Sequence, residues 1–568
     1  MSFNVRARTL SGAMVSLACL APLASANAST SWVNTATQAI PLVNAVPLGA
    51  LNPATSMRVT VALQMQNASA LKSLVQAQNT PGSSSYRKFL TPAQFDKTYA
   101  PGNAAVGLVT TYLQKSGLGQ ISVAPNHLFV SAMGSAAKVS AAFNTSLGSF
   151  QQNGATIFVN TKPAQIPSTL QGIVLSVLGL NNVTSTAKPV TPCDIASPTC
   201  VRFSYDPSTY WLTYNVNKIP AATGTSIAVM AEGDVSGVVT DLRTFEQAMG
   251  LPQVPVTIEH VGVWSPDVSG MDEWDLDTQY TTGMAGNAAN LYIYATTSLS
   301  DQDTALEFNR WVTDDFAQVA NASFSICEFF PYLDGTMVAD DQVFLEGAAQ
   351  GQTLFSSTGD TGSFCSVGTP NGVPAGAPFV GYPATSTYVV AVGGTTLLTN
   401  TDGTYKGEVA WYAGGGGVSQ FEGSPFWQSP VVPTNNPNVP ATFRAIPDVS
   451  MDADPNTGAI VYVNGAIEYV GGTSLSSPLA VGSWARIMSA TKNKPGFAPP
   501  YLYAGYPAFG TPPGTTVGLT VEEDGFHDIL TGADGLYTSL PYYDFTTGLG
   551  TIDVGRKTVA VRTVLQAQ

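Results

Sequence analysis

Gly472-Thr473-Ser474-Leu475-Ser476-Ser477-Pro478 follows an apolar strand-like run and leads into a helix-forming stretch, Ser477 to Ala490. A serine at a glycine-bounded turn between strand and helix is presented outward, and the helix N-terminus favours negative charge beside it. A serine- and threonine-rich N-cap explains the same residues without any chemistry. Read outward, however, the turn sets the fold class. Apolar runs at Ser226 to Ala231, Leu291 to Ala295, Ala322 to Cys327, Thr353 to Ser357 and Tyr388 to Val392 read as strands. Asp301 to Val319 and Ser477 to Ala490 read as helices between or after them. Strands alternating with helices over this length predict an α/β domain built on a parallel sheet.

Upstream the pattern changes. Met57 to Leu63 alternates like a strand, and Ile157 to Val159 and Ile173 to Leu178 are apolar and strand-like. Ala68 to Gln78 and Ala136 to Phe143 read as helices, and Thr91-Pro92 opens another with Thr91 as N-cap and Pro92 at its first position. This mixture predicts a separate α+β, ferredoxin-like module. Between residues 29 and 185 there are eight Lys or Arg (Arg58, Lys72, Arg87, Lys88, Lys97, Lys115, Lys138, Lys162) against one acid, Asp96. The chain as a whole has 38 acidic residues and a net charge of −15. A basic module thus precedes an acidic one. Opposite fields promote docking at neutral pH, and titration near about 4 would erase the acidic module's charge. The pattern fits an intramolecular inhibitor released by acid. Residues 186–203, which include Pro189, Pro192 and Pro198, read as linker and maturation region. The boundaries are therefore 1–28 for a signal peptide, 29–185 for the first module, 186–203 for the linker and 204–568 for the α/β domain.

The 568 residues exceed one ordinary domain, and charged residues make up only 11%. Arg6 and Arg8, the apolar run Leu10 to Leu23 and the small residues Ala24 to Ala28 read as an export signal. The apolar run is too short for a membrane anchor and is broken by Gly12 and Pro22. Export to the extracellular medium or the periplasm is expected. Cys19 leaves with the signal, and Cys193, Cys200, Cys327 and Cys365 form an even set that favours two disulfides in an exported chain. The basic residues are scattered, which argues against nucleic acid as a partner.

Two further segments carry chemistry. In Glu273-Trp274-Asp275-Leu276-Asp277, Glu273 and Asp277 fall on one helix face, and neighbouring carboxylates share protons and split their pKa values. The same run also reads as a solvated acidic face, although Trp274 and Leu276 point to burial. In Ser356-Ser357-Thr358-Gly359-Asp360-Thr361-Gly362, a glycine-flanked Asp follows an apolar strand, where α/β proteins build sites, or where an ordinary turn lies. The three histidines, His127, His260 and His527, lack the context of a catalytic triad. If Ser474 is a nucleophile, its base is a carboxylate, and a base of reference pKa about 4.3 works best in acid.

Together these segments resemble the sedolisin, or serine-carboxyl peptidase, family. So do Tyr382-Pro383-Ala384-Thr385-Ser386, Ala391-Val392-Gly393-Gly394-Thr395 and Arg444 to Gly458. In the first module, Tyr86 to Phe95, Ile166-Pro167 and Val177-Leu178-Gly179-Leu180 resemble the kumamolisin-type activation domain. The resemblance implies a subtilisin-like fold with helices flanking a parallel sheet, and an acid-acting peptidase made as a zymogen. By match, Ser474 is the nucleophile, Glu273 the general base and acid, Asp277 its orienting carboxylate and Asp360 the oxyanion stabiliser. Glu232 is matched more loosely as an extension of the carboxylate network. Polypeptides are the implied substrates, the chain's own first module the inhibitor, and a monomer the implied state.

The family also carries a C-terminal calcium site. Phe526 to Ile529 and Asp544 to Gly550 are similar to its two halves. Asp528 and Asp544 would give carboxylate oxygens and Ile529 a carbonyl, hard ligands that suit Ca2+. Leu540 and Tyr542 stand where glycines usually supply two further carbonyls. Ser325 stands where relatives often have glycine. The competing class is a catalytically inactive secreted binding protein on the same fold, which acid-induced self-cleavage would exclude.

Overall fold

The computed structural model describes residues 31–42, 45–152, 154–185, 187–194, 197, 200–364, 378–432, 442–507 and 520–566. The export signal and Cys365 lie outside them. Cys193 and Cys200 are joined by a disulfide.

The N-terminal domain is built on β1 (Ser56–Leu63), β2 (Gly119–Val123), β3 (Phe129–Ser135) and β4 (Val174–Leu178). They form an antiparallel sheet in the order β2-β3-β1-β4, the arrangement of a ferredoxin-like unit. Alternating positions such as Val59 and Val61 are buried with Val130, Val139, Phe143 and Val177. α1 (Ala68–Gln78), α2 (Pro92–Thr98), α3 (Asn103–Lys115) and α4 (Ala136–Ala142) complete the domain. At the start of α2, the Gln94 N–H donates to Thr91 Oγ1 at 3.3 Å and the Thr91 N–H to Gln94 Oε1 at 2.9 Å. This reciprocal cap, with Pro92 next in line, is what the sequence specified.

The C-terminal domain is a ten-stranded, largely parallel sheet with helices packed against it. Its strands are β5 (Ile227–Glu232), β6 (Val256–His260), β7 (Leu291–Thr296), β8 (Val319–Ala322), β9 (Thr353–Ser357), β10 (Val389–Thr399), β11 (Tyr405–Ala410), β12 (Val449–Asp452), then β15 (Phe526–His527) and β16 (Thr551–Ile552). The hairpin β13 (Ala459–Val463) and β14 (Ala466–Val470) stands apart from that sheet. The order is β6-β7-β5-β8-β9-β10-β12-β16-β15, with β11 antiparallel on β10. The helices that matter most are α5 (Ser236–Met249), α6 (Met271–Ala285), α7 (Asp301–Asp314), α8 (Thr336–Gln350) and α9 (Thr473–Ala490). Among the described residues no helix is long and apolar enough to cross a membrane.

Three sequence expectations shift. The helix expected over Asp301 to Val319 stops at Asp314, where Asp315 adopts a left-handed φ of 53° and ends it. The following strand is therefore Val319–Ala322, not Ala322 to Cys327. The chain leaves the sheet at Ser323, and Ile326–Cys327 pairs instead with Gly381–Tyr382. Helix α9 also begins earlier than read, at Thr473, and contains Pro478.

Helices α6 and α9 pack face to face. Gly482 permits this approach: a Cβ there would lie 2.6 Å from Met284 Cβ and 2.7 Å from the Thr281 carbonyl oxygen. The close crossing sets the acid-bearing helix against the serine-bearing one.

Several contacts between the two domains are hydrogen bonds and not ion pairs. The Met65 N–H donates to Gln342 Oε1 at 2.7 Å, the Leu90 N–H to the Ala349 carbonyl at 2.9 Å, and Asn126 Nδ2 to Glu346 Oε2 at 2.7 Å. Of the eight basic residues in the N-terminal domain, Arg58 alone pairs with an acid among the described residues, Asp303.

Candidate active site

Helix α6 is buried from Glu273 to Ala285, so the acidic run is not a solvated face. Glu273 and Asp277 lie one turn apart, both without exposure. Burial raises the Glu273 carboxyl well above the usual carboxylate range, and Asp277, Asp360 and Asp272 add to the rise. The Ser474 hydroxyl opposes it. Neither Glu273 oxygen makes a hydrogen bond of good geometry, so Ser474 is juxtaposed without being engaged. Catalytic contacts often tighten only when substrate arrives.

Asp277 is held by a chain of buried polar groups. Ser477 Oγ donates to Asn321 Oδ1 at 2.6 Å, Asn321 Nδ2 to Ser323 Oγ at 3.0 Å, and Ser323 Oγ to Asp277 Oδ1 at 2.6 Å. The direction of the relay is fixed by the amide, because Nδ2 can only donate. Asp277 Oδ1 is thus an acceptor, and its other oxygen, which has no donor, is the seat for a proton. Burial raises the Asp277 carboxyl well above its usual range, with Ser323 and Asn321 opposing.

Ser474 is the second residue of α9 and is 4% exposed. Its N–H falls in the first turn, where no intrahelical carbonyl is available. Pro478 has no N–H to offer the Ser474 carbonyl, and Ser323 Oγ lies 3.4 Å from that oxygen.

Asp360 follows β9 and reaches the same turn. Its Oδ1 accepts both the Thr473 N–H and the Thr473 hydroxyl at 2.8 Å. Its Oδ2 packs on Gly472, where a Cβ would come within 2.8 Å and φ is 109°. Glycine is required there on both counts. With Oδ1 filled, a proton on Asp360 resides on Oδ2. Burial raises this carboxyl above its usual value, against the pull of Thr473.

The four residues singled out from the sequence therefore converge. Glu232 does not join them: its acidic neighbour is Asp267, and it bears on Glu307. No histidine bears on Glu273 or Asp277; His527 stacks on Tyr405 and His127 meets the Pro101 carbonyl. Sequence reasoning gives no role to Ser323 and Asn321, and includes Thr473 and Ser477 only as part of the turn around Ser474. The signal for Asn321 and Ser323 is a pair of polar side chains inside an otherwise apolar strand-like run.

A cleft beside Ser474 is lined by Ser325, Gly359, Asp360, Phe379 and Gly381. Ser325 touches the positions where Gly359 and Gly381 would carry a Cβ, at 3.3 and 3.4 Å. The linker crosses this cleft. The Val190 N–H donates to the Gly471 carbonyl at 3.0 Å and Gly471 returns the bond at 2.8 Å, while Lys188 also lines the cavity. A strand-like segment thus lies antiparallel to the residues leading into Ser474.

At the far end of the sheet, Asp528 and Asp544 repel one another. Burial and Asp544 push Asp528 up to about 6. Asp528 receives the Tyr542 N–H, with Tyr542 at a left-handed φ of 69°. Asp544 receives N–H groups of Leu540, Thr546 and Thr547. Two adjacent, largely buried carboxylates fit a divalent cation by charge. Asp544 already takes several N–H donors, so it would offer a cation few free lone pairs. Tyr542 occupies the backbone conformation that glycine favours.

Comparison with known proteins finds relatives for both domains. Residues 44–183 match the pro-kumamolisin activation domain, and residues 274–501 match the subtilase family. The chain is 36% identical to sedolisin of Pseudomonas sp. (strain 101), over 96% of this chain and 95% of that protein. It is 34% identical to xanthomonalisin of Xanthomonas sp. (strain T-22), over 91% of this chain and 67% of that protein. Among solved structures, Pseudomonas sedolisin, a serine-carboxyl proteinase complexed with pseudo-iodotyrostatin, superposes with a TM-score of 0.58 at 33% identity. That match covers 64% of this chain and 99% of the other.

Proposed function

Because the chain belongs to the sedolisin family of serine-carboxyl peptidases, we propose that it is an exported, acid-acting endopeptidase zymogen in which Ser474 attacks the peptide carbonyl. Glu273 takes the Ser474 proton and later returns it to the leaving amine. Asp277, fixed by Ser323, carries the proton shared with Glu273 and so keeps the pair singly charged. Asp360, protonated on Oδ2, donates to the oxyanion together with the Ser474 N–H. A neutral carboxylic acid and a carboxylate base coexist only while buried groups keep raised pKa values and the medium is acidic. The convergence of Glu273 with Asp277, Ser474 and Asp360, the last two lining the cleft and no histidine among them, supports this reading.

The N-terminal domain acts as intramolecular inhibitor, and the linker strand at Val190 occupies the cleft until acid releases it. Asp528, Asp544 and the carbonyls of Ile529, Leu540 and Tyr542 would hold Ca2+, which would brace the loops at the sheet's end. Polypeptides are the substrates, and the catalytic unit works as a monomer.

Acidifying the purified precursor and following its mass tests the proposal. Wild type should shorten to a mature form that hydrolyses peptides, while Ser474→Ala should stay at full mass. Shortening of the Ser474→Ala protein in the absence of other proteases would overturn it.

A further inference from the structure

The motif at Glu273 to Asp277 contains a third carboxyl, Asp275, that the reaction leaves unused. It is buried on α6, close to Asp241 of α5 and within the field of Glu468 of the β13–β14 hairpin. Neither of its oxygens receives a hydrogen bond from any N–H or O–H group. Its polar neighbour is the Asp241 carboxyl on α5, within hydrogen-bonding reach. Asp241 is buried too, and both its oxygens are engaged: Oδ2 accepts the Asn464 N–H at 2.7 Å and Oδ1 the Gly465 N–H at 2.8 Å. These are the two turn residues of the hairpin.

A carboxylate that holds two N–H groups is an acceptor. An ionised Asp275 beside it would be a buried, unpaired charge next to a like charge, which proteins avoid by protonation. The arrangement is satisfied when Asp275 is the neutral acid and donates to Asp241. The other charged groups that bear on it are Asp272 on α6 and Glu468 on β14, and both repel a charge there. On α5, Arg243 is taken up by Glu246.

The hairpin matters because its second strand, Ala466–Val470, runs directly into Gly471, Gly472 and Ser474. Helix α6 grips it a second time through Gln279. There Nε2 donates to the Tyr462 carbonyl at 2.7 Å and Oε1 accepts the Tyr462 N–H at 2.9 Å.

We propose that Asp275, as a neutral carboxylic acid, is a positioning residue: through Asp241 it ties the helix bearing Glu273 and Asp277 to the hairpin that delivers Ser474, and the tie holds only while their shared proton is present. Burial, followed by Asp241, pushes the Asp275 carboxyl up to about 9. A carboxyl raised in this way favours the folded state fully below its unfolded value of about 4. That contribution is lost progressively as pH rises toward about 9. The enzyme therefore carries a built-in preference for acid that is separate from the chemistry of the reacting groups.

The positioning part rests on reading Glu273 and Asp277 as the catalytic pair; the stability part does not. The test compares Asp275→Asn, which keeps a donor and stays neutral, with Asp275→Ala, in the full chain and after acid maturation. At about pH 4 the Asn variant should keep kcat within about threefold, while the Ala variant loses about tenfold or more with KM nearly unchanged. The melting temperature of Asp275→Asn should gain on wild type steadily between about pH 4 and about pH 8. Equal losses of kcat in both variants, or a melting difference that ignores pH, would overturn the proposal. If neither variant folds, amide exchange in the wild type reads the same contact. Protection at Asn464 and Gly465 should persist in acid and fall as pH approaches about 9, and protection that ignores this range would contradict the proposal. Loss of the catalytic reading alone, with Glu273→Gln still active, would leave the melting result standing, so the two failures are distinguishable.

Discussion

Ser323 Oγ donates to Asp277 Oδ1 at 2.6 Å, and the amide of Asn321 fixes the direction of that bond. The bond decides which Asp277 oxygen remains for the proton shared with Glu273. Ser323→Ala should leave Asp277 with both oxygens unpaired in a dry site, at a cost of about 2 kcal/mol in stability. Its kcat should fall about tenfold to a hundredfold with little change in KM. Steady-state kinetics and thermal melting on the same preparation check both.

Asp360 should set part of the alkaline limit of activity. Its raised carboxyl is neutral, and able to donate, below its folded pKa; donation is lost as pH rises through that value. Asp360→Asn keeps a donor at every pH. Its kcat/KM should be about tenfold to a hundredfold lower than wild type in acid, with an alkaline limb moved upward. A pH–rate profile in which the limb stays in place would assign it to Glu273 and Asp277 alone.

Arg58 is the residue through which the domains' opposite charge makes a direct ion pair among the described residues. The neighbouring contacts, such as Met65 with Gln342, are neutral. Affinity of the N-terminal domain for the mature domain should fall with salt by only a few fold, about 1 kcal/mol for a partly buried pair. Arg58→Ala should remove most of that salt dependence. Titration by calorimetry at two ionic strengths measures it.

Chelation tests the ion site. If Asp528 and Asp544 hold Ca2+, a chelator should lower the melting temperature and added Ca2+ should restore it, with about 2.7 kcal/mol regained at a hundredfold excess over Kd. Asp544→Asn should melt lower and ignore the chelator. An unchanged melting curve for wild type would leave the two carboxylates as an unaided acidic pair.

The sequence was most informative where periodicity and chemistry coincided. Glu273 and Asp277 sit at a spacing that only a helix brings together, and Gly472 to Pro478 announces the turn in which Ser474 lies. The cap at Thr91 and Pro92 was legible because it is wholly local. The end of α7 was not, because Asp315 stops the helix through a left-handed backbone that aspartate seldom advertises. Ser323 and Asn321 were hidden in an apolar run whose later half leaves the sheet. The Asp241–Asp275 contact joins two successive helices whose facing sides the spacing alone does not set, and only packing reveals which acid must be neutral.

The central claim is that the Ser474 hydroxyl is activated by a carboxyl group. Measuring kcat/KM of Ser474→Ala, Glu273→Gln and the double variant, each trimmed by an unrelated protease that is then removed, on one peptide at acid pH tests it most directly. The account predicts that each single change costs about a thousandfold or more and that the double costs little beyond either, because the two act as one unit. A Ser474→Ala enzyme that keeps most of its activity, or losses that simply multiply, would contradict it.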